Sequence, residues 1–206
     1  MEIYGICAQP LYVFQADDEL LELAQHLSVN IENWIVGHVK LSQDMELHRK
    51  EEYKPLADWF HECLQKVKNK YEMPCERLKI TECWTNRLER GGYHHIHKHR
   101  LSIVSGIFNV TKSISDTNFF VRDHFYCDNM QIGMEKNSKF RKNKEGFVRD
   151  NLPNKPGQLV LFPSTITHGV PLHNDDETRM TISFNSFYDG KCGHIHGQGF
   201  VNLTVN

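Results

Sequence analysis

Four of the six residues from His94 to His99 are histidine, in a chain that carries 13 in all. On an extended segment alternate side chains point the same way, so His95, His97 and His99 share one face. Neutral imidazoles aimed at one point, with no cysteine beside them, suit iron, zinc, copper or nickel. A solvated polar loop would also fit these residues, and the spacing leaves two registers open: His95 with His97, or His97 with His99. A distant histidine, His168, stands just past the apolar run Leu159-Val-Leu-Phe162 and the turn at Pro163. Farther on, Arg179-Met-Thr-Ile-Ser-Phe184 alternates as a strand does. Arg179, Thr181 and Ser183 then face one side, and Met180, Ile182 and Phe184 the other. A guanidinium flanked by hydroxyls can hold a carboxylate by a two-pronged contact, although a surface ion pair is the commoner role of an arginine.

Elements must exist to position these groups. Leu20, Leu21, Leu23, Ala24 and Leu27 recur at helical spacing behind the acidic start Asp17-Asp18-Glu19. From Glu51 to Tyr71, Leu56, Trp59, Phe60, Cys63, Leu64 and Val67 form one apolar stripe, and Pro55 suits the first turn of a helix. After Pro74 the texture changes. Strands are predicted from Leu78 to Asn86, over Leu101 to Val110, at Phe119 to Val121, over Gln158 to Phe162 and over Arg179 to Phe187, with Phe200 to Val205 closing the sheet. Short strands divided by turn residues imply a sandwich or barrel. The polar segment from Asp123 to Asn154 is long for a connection and reads as a functional lid or flexible loop; His124, Tyr126, Arg141 and Arg149 are candidates to line the mouth of a site, although a solvated loop is the commoner place for each. Its basic run, Lys136 to Lys144, reads as a solvated face. The expected organisation is one domain over residues 1–206: helical support at 1–75, then a β core at 76–206 with an insertion at 123–154.

Composition narrows the classes. With 206 residues the chain can bury a full core. A net charge of −2 argues against a general nucleic-acid binder, whose footprint is a basic excess. No apolar run approaches the roughly 20 residues of a membrane span, and the first residues do not read as a secretory signal. The six cysteines show no C-x-x-C spacing and are expected to be free thiols of a cytoplasmic protein.

Taken together, Trp84-Thr-Asn86, Gly91-Gly-Tyr93, His97-Lys-His99, Ser105-Gly-Ile-Phe108, Pro156-Gly-Gln-Leu-Val-Leu-Phe-Pro-Ser164, His168-Gly-Val170 and Arg179-Met-Thr-Ile-Ser-Phe-Asn185 resemble the iron- and 2-oxoglutarate-dependent oxygenases. The branch is one common in bacteria and marine bacteriophages, with a prolyl-hydroxylase-like architecture. The resemblance implies a double-stranded β-helix, a jelly-roll core of cupin-like type that is mainly β with flanking helices. It implies Fe(II) at the barrel mouth, held by His97, His99 and His168. His99 stands where most of the superfamily has Asp or Glu, and Asp123 is the carboxylate alternative. It further implies 2-oxoglutarate as co-substrate on Arg179 and Thr181, with Asn86 as an inward polar position. The implied reaction is hydroxylation of an unactivated C–H bond by O2, with release of succinate and CO2. The leading substrate class is a peptidyl residue of prolyl type.

Two other readings remain open at this level. One is a cupin-like three-histidine metalloenzyme without 2-oxoglutarate, which His99 favours and Arg179 with Thr181 disfavours. The other is a non-catalytic jelly-roll structural protein of a virus, in which the histidines are decoration. His194-Ile-His196 has the same spacing as the first cluster, but the surrounding Gly193, Gly197 and Gly199 suggest a loop.

Overall fold

A computed structural model describes residues 10–29, 33–36, 38–113, 115–120, 154–193 and 199–205. The segment 123–153 with His124, Tyr126, Arg141 and Arg149, the basic run 136–144, Asp123, His194, His196, Cys7 and Cys127 lie outside the described residues. Cys63, Cys75, Cys83 and Cys192 are free and buried.

Two helices lie within the first 75 residues, for the reasons their sequences give. In α1 (Asp18–Val29) the Asp17 side chain accepts the backbone N–H of Leu20, an N-terminal cap, and Asp18 and Glu19 suit the positive helix end. In α2 (Lys54–Lys70) Pro55 sits in the first turn, where its missing N–H costs nothing. The residues just before it, Glu51–Tyr53, form a tighter 3-10 turn, so the helix starts three residues later than the apolar stripe predicts. Its buried face is Leu56, Ala57, Phe60, Cys63, Leu64 and Val67.

Eleven strands are found among the described residues: β1 (Tyr12–Gln15), β2 (Asn33–Val36), β3 (Val39–Ser42), β4 (Cys75–Leu88), β5 (His94–His97), β6 (Val104–Asn109), β7 (Asn118–Phe120), β8 (Gln158–Pro163), β9 (Thr167–Val170), β10 (Arg179–Cys192) and β11 (Val201–Leu203). The larger sheet runs β1-β8-β6-β10-β4-β3-β2, and β11 pairs with the end of β10. The smaller runs β5-β9-β7. Every pairing is antiparallel. The fold is the jelly-roll double-stranded β-helix, mainly β with helices on the outside.

Three differences from the sequence-based expectation have physical causes. The first 75 residues are not purely helical support: β1 covers the β8 edge, and the hairpin β2–β3 extends the sheet beyond β4. Their stability comes from pairing with distant strands, which a local pattern does not reveal. Leu101 is not in a strand; it is 90% exposed with φ of 52°, a turn conformation between β5 and β6. Finally, β11 does not close the sheet but extends it beside β10, opposite residues 190–192.

Alternation along β10 divides the interior into two layers. Ile182 and Phe184 face the helices, and Phe184 stacks on Phe60 at 4.8 Å between ring centroids. Phe108 from β6 tilts against the same ring at 5.6 Å. On the other face Ile107, Val160 and Phe162 meet Phe119 and Ile166, which joins the larger sheet to the smaller. Gly106 lies opposite Phe184 in the register. A Cβ there would come within 2.3 Å of the Phe184 ring, and Phe60 leaves that ring no room to yield. Gly106→Ala is therefore expected to destabilise the fold by about 1–3 kcal/mol, read as a lower midpoint in urea denaturation with an unchanged slope.

Candidate metal and co-substrate site

Antiparallel pairing brings His97 directly opposite His168, from β5 to β9, so both rings lie on the same face. Their centroids are 4.3 Å apart. His99 lies just past β5, anchored by its backbone N–H on the Ser164 carbonyl at 3.1 Å. One ring nitrogen from each of His97, His99 and His168 can be chosen so that the three lie within 4.8 Å of one another. His95 is exposed and takes no part in this group; it meets the edge of Tyr93, which stacks on His38.

Hydrogen bonds assign the tautomers. His97 Nδ1 lies 2.7 Å from the His95 carbonyl, and His168 Nδ1 lies 3.1 Å from the Ile166 carbonyl. A carbonyl only accepts, so both Nδ1 atoms carry the proton and both Nε2 lone pairs face the site. His99 Nε2 stands 3.3 Å from His168 Nε2. Burial pushes the pKa of His168 down to about 3 and that of His99 down to about 4, with the neighbouring His97 adding repulsion in both. His99 and His168 are thus held neutral, the form in which imidazole binds a metal.

Arg179 opens β10 and is 2% exposed. Its Nε donates to the Ser115 carbonyl and its Nη2 to Thr117 Oγ1, each at 3.0 Å. Burial lowers its pKa to about 10, which still leaves a cation at neutral pH. No carboxylate of the described residues forms an ion pair with it. Thr181 and Ser183 follow on the same face. Asn86, opposite Thr181 in the register, donates to Ser183 Oγ at 2.8 Å and to Thr181 Oγ1 at 3.2 Å, and accepts from Trp84 Nε1 at 3.1 Å. Its amide hydrogens are spent on those hydroxyls, so Asn86 orients them and leaves their own O–H groups to be donated.

One pocket collects these residues. The three histidines, Arg179, Thr181, Ser183, Asn86, Trp84, His94 and Thr117 all line it. The sequence reading did not single out His94, Trp84 or Thr117 as pocket residues. His94 lies inside the histidine run, but a register irregularity between His94 and His97 puts both on the inner side, which strict alternation forbids. Thr117 comes from a connection with no periodicity to read.

A family model described as "Putative 2OG-Fe(II) oxygenase" matches residues 82–185. The chain belongs to this family of 2-oxoglutarate-dependent oxygenases. Membership excludes the non-catalytic reading of the jelly roll. The family's cofactor chemistry is that of Fe(II) with 2-oxoglutarate. Among solved structures, HygX from Streptomyces hygroscopicus, with nickel and 2-oxoglutarate bound, superposes with a TM-score of 0.63 at 11% identity, over 96% of this chain and 93% of that one. A Pseudomonas putida prolyl-4-hydroxylase gives 0.61 at 12%, over 90% and 96%. The epimerase SnoN of nogalamycin biosynthesis gives 0.63 at 13%, over 96% and 89%. At such identities the likeness is one of fold. No curated protein sequence matches. No helix among the described residues is long and apolar enough to cross a membrane.

The depressed histidines have a consequence for the metal-free oxygenase. An unfolded histidine titrates near 6.5. Between about pH 6.5 and 4 the unfolded chain binds protons that folded His99 and His168 refuse, as does His48, whose pKa burial lowers to about 4. Stability rises with pH wherever the unfolded state holds more protons. The contribution is therefore complete above about pH 6.5 and is lost as the pH falls. Urea denaturation of chelator-treated protein should show a midpoint that drops steadily from pH 7 to pH 5; a flat profile there would contradict the burial of these rings.

Proposed function

We propose that the chain is an Fe(II)- and 2-oxoglutarate-dependent dioxygenase that hydroxylates an unactivated C–H bond, with His97, His99 and His168 as metal ligands. Arg179 and Thr181 grip the far carboxylate of 2-oxoglutarate, and Asn86 acts through the hydroxyls it orients. Residues 1–206 are taken as one domain. The observation that supports this reading best is the buried Arg179. A cation out of water costs several kcal/mol unless an anion meets it, and it lines the same pocket as three converging imidazoles.

The donor set fits ferrous iron. Imidazole is a suitable ligand for it, and three ligands on one side leave positions open for a chelating co-substrate and O2. When bound, iron with 2-oxoglutarate supplies the oxidising power: O2 is consumed, one oxygen atom ends in succinate, CO2 leaves, and the other oxygen enters the substrate's C–H bond. The chain's own residues do the rest. His97 and His168 are held with Nε2 inward by their carbonyl partners. Arg179 orients a diacid by its tail. The apolar contacts of Phe119 and Phe162 with His168 keep water from that side of the ring.

His99 sets the charge. A triad of two histidines and a carboxylate contributes one negative charge to the metal; three imidazoles contribute none. The dianionic co-substrate is then the main source of compensating charge, so each of metal and 2-oxoglutarate would complete the other's site. The peptidyl substrate class rests on fold analogy with the prolyl-4-hydroxylase and is the finer part of the proposal.

Anaerobic thermal unfolding tests the reading. Fe(II) and 2-oxoglutarate together should stabilise the protein by more than their separate shifts, with each tightening the other at least about fivefold. Arg179→Met should abolish the 2-oxoglutarate contribution and leave Fe(II) binding in place. Iron bound with no response to 2-oxoglutarate would favour a three-histidine enzyme of another chemistry.

A further inference from the structure

We propose that His173 is a positioning residue that fixes the aim of Arg179, an inference that rests on the reading of Arg179 as the co-substrate grip. His173 lies between β9 and β10 and is fully buried, yet it lines no part of the metal pocket. Its Nε2 is 2.7 Å from the Glu177 carbonyl, which can only accept, so Nε2 carries the proton. Nδ1 then presents a lone pair and accepts the Ser115 hydroxyl at 2.9 Å. The carbonyl of that same Ser115 receives Arg179 Nε–H at 3.0 Å. Two residues on, Thr117 receives Nη2. The imidazole thus holds the short segment that holds the guanidinium.

The backbone of His173 reaches the other half of the site. Its N–H donates to the Gly92 carbonyl, and its carbonyl accepts from Gly91 N–H, each at 2.8 Å. Gly91 and Gly92 form the turn that leads into β5, the strand of His97. Gly92 admits no side chain there: a Cβ would stand 2.8 Å from the His38 carbonyl and from Leu88 Cδ2. One residue therefore ties the histidine strand to the Arg179 segment, by main chain on one side and by side chain on the other. Replacing the side chain leaves the main-chain tie in place. Its loss should reach Arg179 without disturbing His97 and His99.

A rigid ring that donates at one end and accepts at the other explains the residue type. Asparagine can place an oxygen near the Nδ1 position, keep the Ser115 contact and lose the one to Glu177. That makes His173→Asn a conservative control for His173→Ala.

The experiment has two arms. In the first, uncoupled conversion of 2-oxoglutarate to succinate is measured for wild type and both variants. His173→Ala should raise the KM for 2-oxoglutarate roughly five- to tenfold, the worth of about one hydrogen bond. Its kcat should stay within about twofold, and Fe(II) affinity should hold. His173→Asn should recover most of the KM. An unchanged KM in His173→Ala, or an equal loss in His173→Asn, would overturn the proposal. The second arm needs no co-substrate. In metal-free protein the Arg179 Nε–H resonance, assigned by its loss in Arg179→Met, should exchange slowly with water. Exchange should speed up on the order of tenfold in His173→Ala and slow again in His173→Asn. If wild type ignores 2-oxoglutarate but this resonance follows His173, the function reading fails and the positioning role stands. A resonance indifferent to His173 ends the positioning role whatever the activity.

Discussion

A buried guanidinium with no ion-pair partner among the described residues sets the terms for the rest of this molecule. Removing Arg179 from water costs more than the two hydrogen bonds from Ser115 and Thr117 return in net stability. A charge so placed persists only in a frame rigid enough not to relax around it. That frame is β10, paired on one side with β4 and on the other with β6. Arg179 opens the strand, and the next residues are locked on their far face by Ile182 and Phe184 against the helices. The apolar layer outside thus carries the stability that the polar layer inside gives up.

The histidines obey the same division. His97 and His168 face each other across two strands of the smaller sheet, and their outward nitrogens are committed to carbonyls. Fixing Nδ1–H in this way chooses which lone pair looks inward before any metal arrives. His99 Nε2 stands 3.3 Å from His168 Nε2, so a neutral His99 that carries its proton on Nε2 donates to the His168 lone pair. Burial keeps both rings from taking a second proton. The arginine and the imidazoles line one cavity.

Much of this was legible in the residues, and the illegible parts share a cause. The alternation Arg179, Thr181, Ser183 against Met180, Ile182, Phe184 is a local property of one strand, and the two layers keep it. The stripe on α2 is equally local, and Phe60 and Leu64 occupy it as their spacing requires. By contrast β1 and β3 owe their existence to partners about 150 and 45 residues away in the register, Tyr12 with Leu161 and Leu41 with Asn86. No window of sequence contains that information. The register of His-x-His was undecidable for a related reason: alternation treats His95, His97 and His99 alike. What separates them is the irregular pairing of β5, which leaves His95 exposed and turns His94 inward.

The arrangement also gives a reason why a serine carbonyl and a threonine hydroxyl, and not the intervening Asp116, take the hydrogen bonds of Arg179. A carboxylate beside Arg179 would neutralise it permanently and would compete with any incoming diacid. Ser115 and Thr117 satisfy the guanidinium's geometry through a carbonyl and a hydroxyl without forming an ion pair with it. Thr181 and Ser183 are treated in the same way by Asn86, which fills their acceptor sites and leaves their hydrogens to be given. The groups that hydrogen-bond the cation are neutral and orient it, while Asp116, which favours its charge from farther off, accepts the Asn154 N–H instead of pairing with it. An anion entering such a pocket would gain the energy of a desolvated charge pair rather than of an exposed one, because the cost of drying the cation was met when the chain folded.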